Sequence, residues 1–180
     1  MPVLTRKDGL MDITQLILDD HHEQRRLFSI LEQIDSAETT QLTALWTRLS
    51  AFLEVHAEAE EQLFYPELLR LGKGAGGKNS AAAETKDAIA DHNEIRDAVA
   101  AVSAHEVGSD AWYAAVTEAN KANGDHMGEE EREGLTDFRR QAGLQVRHEL
   151  AVAFAVFEAV HIMGVKAVDK NPDEYIAENK

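Results

Sequence analysis

Four histidines and two glutamates recur in register along this chain. Asp20-His21-His22-Glu23-Gln24-Arg25 returns as Asp91-His92-Asn93-Glu94-Ile95-Arg96, and His56, followed one helical turn later by Glu60-Glu61, returns as His126 followed by Glu130-Glu131. Imidazole nitrogen and carboxylate oxygen together suit a borderline transition metal better than calcium or magnesium, which want mostly oxygen. Zinc would take fewer ligands. Delivered in equal parts by two similar halves, the set outlines a two-metal site, although binding of a single ion stays open from the sequence alone.

The elements that must hold these residues are helical. Apolar residues recur at threes and fours, Gly and Pro are sparse, and no run alternates as a half-buried strand would. A first helix is expected from an Asp12 cap to about Asp35, with Ile17, His21, Gln24, Phe28 and Leu31 on one face. A second begins near Thr39 or Thr40 and carries Leu49, Phe52, His56, Glu60 and Leu63 on one stripe. Pro66 should bend or interrupt it, and Gly72 should stop it. Residues 72–77 read as a flexible connector between the repeats. A third helix, capped by Asn79 or Ser80, runs to about His105 with His92 on its apolar stripe, and a fourth follows a turn and cap at 106–110 with His126 and Glu130 inward. A fifth is expected over about 136–168, and 171–180 reads as a polar tail.

A lone histidine on an apolar stripe is ordinarily a hydrogen-bonded core residue, and a Glu-Glu pair is ordinarily solvated. Glu61 and Glu131, one step round the helix from Glu60 and Glu130, fit that ordinary reading. The joint pattern does not: one histidine per helix at matched depth, and two carboxylates at identical spacing. In an up-and-down bundle these groups converge at one level inside the core, where burial without a partner is expensive. If each metal drew histidines from both halves and both carboxylates bridged, the ions would lie a few ångströms apart.

Composition narrows the function. The 180 residues suit one domain, and a formal net charge of −15, from 33 acidic against 18 basic residues, disfavours nucleic acid and anionic membrane as partners. With no cysteine, disulfides, thiolate catalysis and the usual ligation of iron–sulfur clusters are excluded. The first twelve residues lack an apolar leader core and no apolar run approaches a bilayer span, so a cytoplasmic protein is expected.

These motifs resemble the hemerythrin-like family, the HHE cation-binding proteins. The resemblance rests on Asp20-His21 followed by Leu27-Phe28, on His56 with Glu60-Glu61 followed by Phe64-Tyr65-Pro66, on Asp91-His92, and on His126 with Glu130-Glu131. It covers roughly residues 12 to 139 and leaves the fifth helix unmatched. It implies an all-α, up-and-down four-helix bundle, here over 1–139, to which the apolar pattern adds a C-terminal helix at 140–168 and the tail at 169–180. It also implies two non-haem iron ions with an oxo or hydroxo bridge, manganese being an acceptable substitute. The ligands would be His21, His56, Glu60, His92, His126 and Glu130. His21 is preferred over His22 because it matches His92 and shares a stripe with Ile17 and Phe28, while His22 points about 100° away. A ferritin-like site is disfavoured, because its Glu-x-x-His order occurs only at Glu158–His161.

The departures bear on function. Oxygen-carrying hemerythrins have a second histidine one turn after the third-helix ligand, where this chain has Arg96, and they close the last motif with Asp rather than Glu130. His161, His148 or His105 would have to complete a five-histidine site, and His161, beside Val160, Ile162 and Met163, is the first candidate for a further ligand or for a packed residue near the site. Tyr65 could hydrogen-bond near the site or serve as an ordinary helix-end aromatic. The leading expectation is therefore a protective di-iron oxidoreductase, catalase-like toward peroxide or reactive with oxygen or nitric oxide. The alternatives are a reversible oxygen-binding or iron- and oxygen-sensing module, and a bundle whose histidines are incidental. The fifth helix, with Leu150, Val152, Phe154, Phe157 and Val160, would pack on the bundle or build a homodimer.

Overall fold

The computed structural model describes residues 9–180; the expectation of a non-apolar leader at 1–8, and that part of the 1–139 range, lies outside those residues. The fold is all-α. Helices α1 (Ile13–Leu31), α2 (Thr39–Ala59), α4 (Ala81–Val102) and α5 (Asp110–Arg132) form the bundle, with α1 packed on α2 and α5, and α4 on α5 and α2. The caps follow local chemistry. Asp12 accepts the Thr14 N–H at 3.0 Å, Ser80 Oγ the Ala83 N–H at 3.2 Å, and Ser109 Oγ the Trp112 N–H at 3.1 Å.

Two apolar layers sandwich the level of the histidines. On one side, Phe28, Leu31, Leu42, Trp46, Leu49, Val102 and Trp112 fill the end closed by the two hairpin loops. On the other, Ile13, Ile17, Phe64, Phe138 and Phe154 gather α1 and the helical segments that follow α5. Burying one such side chain contributes about 1.5–3 kcal/mol, so each layer can hold a polar level between them. The two hairpin loops touch closely: a Cβ on Gly108, at φ +83°, would stand 2.3 Å from the Ser36 carbonyl.

Pro66 interrupts the second helix in a specific way. After Ala59 the backbone widens into a single π-helical turn, Glu60–Phe64, before α3 (Tyr65–Leu71). Pro66 has no N–H for the carbonyl four residues back and its ring crowds that carbonyl. The chain relieves this by widening, so that the Tyr65 N–H reaches Glu60 O. The widened turn rotates Glu61 inward beside Glu60.

The C-terminal third differs from expectation. One helix over 136–168 becomes two, α6 (Gly134–Gln141) and α7 (Leu144–Val160), separated at Ala142-Gly143, and the chain is non-helical from Gly164 to Asn171. The polar tail holds a further helix, α8 (Pro172–Asn179), started by Asn171, whose side chain accepts the Asp173 and Glu174 N–H groups and whose neighbour Pro172 suits a first turn. Buried Tyr175 and Ile176 dock it on the bundle. Helix α7 covers the bundle with Ala151 and Phe154, while Val152, Val156 and Val160 stay exposed. The glycine-rich connector is held rather than flexible: Asp137 Oδ2 accepts the N–H groups of Lys73 and Gly74, and Glu84 Oε1 that of Ala75.

Candidate metal centre

The four repeated histidines meet at one level, each on a different bundle helix and each at most 4 % exposed. Glu60, 0 % exposed, stands between them. Its Oε1 is 3.0 Å from His56 Nε2, and its Oε2 is 3.2 Å from His92 Nε2. His92 and His126 face each other with Nε2 atoms 3.1 Å apart, and Glu130 Oε2 lies 3.4 Å from His21 Nε2. Two clusters result, His21 with His56 and Glu60, and His92 with His126 and Glu60. Each draws its histidines from one half of the chain, not from both, because each hairpin (α1 with α2, α4 with α5) brings its own pair together; only Glu60 is common to the two.

The donor set fits a pair of metal ions. Among the described residues, His21 Nε2, His56 Nε2, Glu60 Oε1 and Glu130 Oε2 are buried without a hydrogen-bond partner. Four orphaned ligand atoms in one place would be costly if nothing joined them. Spacings near 3 Å are those of donors that share an ion at about 2.1 Å.

The outward nitrogen of every histidine faces a carboxylate. His21 Nδ1 donates to Glu131 Oε1 at 3.0 Å and His92 Nδ1 to Glu61 Oε1 at 2.8 Å, while His56 Nδ1 lies 3.3 Å from Asp20 and His126 Nδ1 3.5 Å from Asp91. Such partners fix the ring and leave Nε2 for a metal. The solvated reading of Glu61 and Glu131 is thereby corrected. Glu61 is 2 % exposed because of the π-turn, and Glu131 is drawn in by His21 and by Arg25, 2.7 Å away.

Arg96 and Arg25 occupy equivalent places in the repeat and do the same thing, each binding the carboxylate that holds a histidine. The symmetry ends there. Arg96, 7 % exposed, also binds Glu54, and Glu61 receives the Lys170 ammonium and, on its carbonyl, the Tyr175 hydroxyl. Asn93, at the place of His22, clamps the Lys170 backbone in both directions, at 2.8 and 3.1 Å. The residues around Lys170 and Tyr175 thus brace His92 and have no counterpart at His21.

The remaining candidates separate. Tyr65, 1 % exposed, is inside the site and not merely a helix-end aromatic: its hydroxyl donates to Glu130 Oε1 at 2.8 Å and lies 3.5 Å from both Glu60 and His92. His22 and His105 are exposed, and His148 is half-buried with Nδ1 toward the Met11 carbonyl. His161 lies at the end of α7, stacked on Phe157 with Nδ1 at 2.8 Å from the Phe157 carbonyl, and it joins neither cluster. Residues missed by the sequence are Glu61, Glu131, Lys170 and Tyr175. Pro66, by forcing a widened turn, was the signal for Glu61; nothing local marks the C-terminal pair.

The charges are poised for a cation. Burial disfavours imidazolium at His92, yet the hydrogen bonds and charges of Glu60 and Glu61 outweigh it and raise the group to about 9. His56 is raised well above its ordinary value against the same burial, by Glu60 first and then Asp20 and Glu158. Glu61 is brought down to about 2, its burial overcome by His92, Arg96 and Lys170. For the metal-free protein, the raised His92 lends stability that is whole below its ordinary 6.5 and lost as pH rises through about 9. Metal ligation requires the neutral ring, so loading near neutral pH should release protons and tighten with rising pH. The expected result is a melting temperature that falls between pH 6.5 and about 9 for chelator-treated protein and stays level for metal-loaded protein, by calorimetry; parallel curves would contradict it.

Among the described residues no helix is long and apolar enough to cross a membrane. The sequence profile of the hemerythrin HHE cation binding domain matches residues 12–135. No curated protein and no solved structure matches the chain. With the profile spanning α1 to the start of α6 and the His/Glu clusters lying inside that span, the chain belongs to the hemerythrin HHE cation-binding domain family, whose members bind metal ions.

Proposed function

We propose that the chain is a cytoplasmic non-haem di-iron protein that disproportionates hydrogen peroxide in stress protection, with oxygen and nitric oxide as related small ligands. The observation that carries this reading is the pair of two-histidine clusters sharing Glu60, with orphaned donor atoms pointing between them. His21, His56, His92 and His126 would hold the ions, Glu60 would join them, and Glu130 would complete the set. A redox-active pair held there would supply the two-electron chemistry by which two peroxides give one oxygen and two waters.

The protein's own residues set what reaches that place. A narrow cleft bounded by Tyr65, His126, Glu130 and Gly134 holds about 10 Å³ of free space, room for one water-sized molecule. Its lining also includes Asp91, Glu129 and Glu133, with buried Glu84 and with Asp87 paired to Lys78. That acidic lining disfavours anions and suits neutral peroxide, oxygen or nitric oxide. At the base, burial and the nearby charges of Glu130 and Glu60 push Tyr65 ionisation well above the usual phenol range. The phenol therefore stays a hydrogen-bond donor, held by Glu130, beside any molecule that enters.

Iron-loaded protein mixed with hydrogen peroxide is expected to release oxygen over many turnovers, followed with an oxygen electrode. A single stoichiometric bleaching without turnover would sink the catalase-like reading. Two contacts favour a second reading, reversible oxygen binding or iron sensing: Lys170, just before α8, and Tyr175, within it, both bind Glu61, giving the site a mechanical link to the C-terminal segment. Spectral changes that reverse under cycles of oxygen and argon, with no peroxide consumed, would select it.

A further inference from the structure

A third group of ligand atoms lies just outside the paired clusters, at Asp20, His56 and Glu158. Glu158 comes from α7, beyond the residues the family profile matches. His56 Nδ1 lies 3.3 Å from Asp20 Oδ2 and 3.8 Å from Glu158 Oε1, and all three atoms are buried without a hydrogen-bond partner among the described residues. The histidine is 4 % exposed. Of the other outer carboxylates, Glu131 is matched by Arg25 and Glu61 by Arg96 and Lys170, and Asp91 stands as a single carboxylate before His126. Among the described residues no lysine or arginine pairs with Asp20 or Glu158. Two carboxylates and one imidazole nitrogen, aimed at each other with no cation between them, make a three-donor site for a divalent metal.

The place also has an outlet. Glu158 forms part of the wall of a cavity of about 270 Å³, together with Phe52, Val55, Ala159 and Ile162 and with Glu23 and Arg48. Glu23 is paired with Arg26 and Arg48, so Glu158 and Asp20, which among the described residues face His56 and no lysine or arginine, are the carboxylates left behind that opening. On the opposite side of the same imidazole, Nε2 faces Glu60. His56 therefore stands between the cavity and the cluster of His21, His56 and Glu60, with a ligand atom on each side.

We propose that Asp20, Glu158 and His56 Nδ1 form a loading site for a divalent transition-metal cation, which passes from it to the inner cluster of His21, His56 and Glu60. The proposal rests on the two-metal reading above. Occupancy is transient by construction, because holding ions on both nitrogens at once would require the imidazole to lose its second proton. The cleft at Tyr65 and Glu130 serves the His126 side and small substrates, while the α7 cavity serves metal uptake on the His56 side.

Chelator-treated full-length protein mixed with cobalt(II) in a stopped-flow spectrometer tests this through visible absorption. Wild-type protein is expected to take up two ions per chain. Glu158→Gln should reach the same final stoichiometry with one of the two uptake phases slowed by about tenfold or more, the scale of lost electrostatic focusing. Glu158→Asp, which keeps the charge, should recover most of the rate, and this separates charge from any loss of packing. Wild-type rates in Glu158→Gln overturn the loading site, as does a final content of one cobalt, since Glu158 would then be a resident ligand. No cobalt uptake by the wild-type chain would overturn the two-metal reading itself.

Discussion

Replacing Glu60 by alanine is expected to cost the protein both metals. Glu60 is the one residue present in both inner clusters, with an oxygen 3.0 Å from His56 Nε2 and the other 3.2 Å from His92 Nε2. Losing a partner behind a ligand lowers metal affinity by roughly 10–100-fold, and losing the shared ligand should exceed that at each position. Metal content measured after desalting should fall from two ions per chain to less than one. The metal-free protein should suffer less, because His56 and His92 owe their raised protonation largely to this carboxylate against the cost of burial and can shed their protons once it is gone. Retention of two ions by Glu60→Ala would refute the shared-carboxylate arrangement.

Glu61→Ala should be far more damaging than Glu131→Ala, although the two positions are equivalent in the repeat. Each carboxylate holds a buried histidine, but the Glu61 side chain is 0 % exposed and holds Arg96 and Lys170 as well as His92, whereas the Glu131 side chain is 28 % exposed and holds, besides His21, only Arg25, itself 39 % exposed. Removing Glu61 leaves a buried guanidinium without one of its anions, which costs about 3–5 kcal/mol when such a pair is broken. Removing Glu131 breaks a partly solvated pair with Arg25 worth about 1 kcal/mol or less and takes the acceptor from His21 Nδ1, a loss that Glu61→Ala matches at His92. Urea unfolding of metal-free protein measures the difference. Metal titration should show the His92 side weakened by roughly 10–100-fold in Glu61→Ala. Equal losses for the two variants would contradict the asymmetry.

That asymmetry was invisible in the motif. His21, His56, Glu60, His92, His126 and Glu130 could be picked out because a helix maps sequence spacing onto a face, and the same spacing occurs twice. Helix starts after Asp12, after Asn79 or Ser80 and within 106–110 were legible for a similar local reason, since the caps that form at Asp12, Ser80 and Ser109 are decided within three residues. Glu61 was misplaced because the ordinary 100° step fails in a π-turn. The long C-terminal helix was misjudged because Ala142-Gly143 and the stretch after Val160 break a pattern whose apolar content alone suggested continuity.

By itself the sequence determined the helical bundle, the level at which polar groups enter its core, and the kind of ion those groups suit, since all three follow from periodicity and donor type. The tertiary structure decided which histidines share a cluster, that Glu60 stands between the clusters while Glu130 approaches His21 and Tyr65, and that Lys170, Tyr175 and Glu158 reach the site from the C-terminal third. Those facts depend on contacts between residues far apart in the chain, where no local spacing carries the information and only the packing of one helix on another brings the groups within reach.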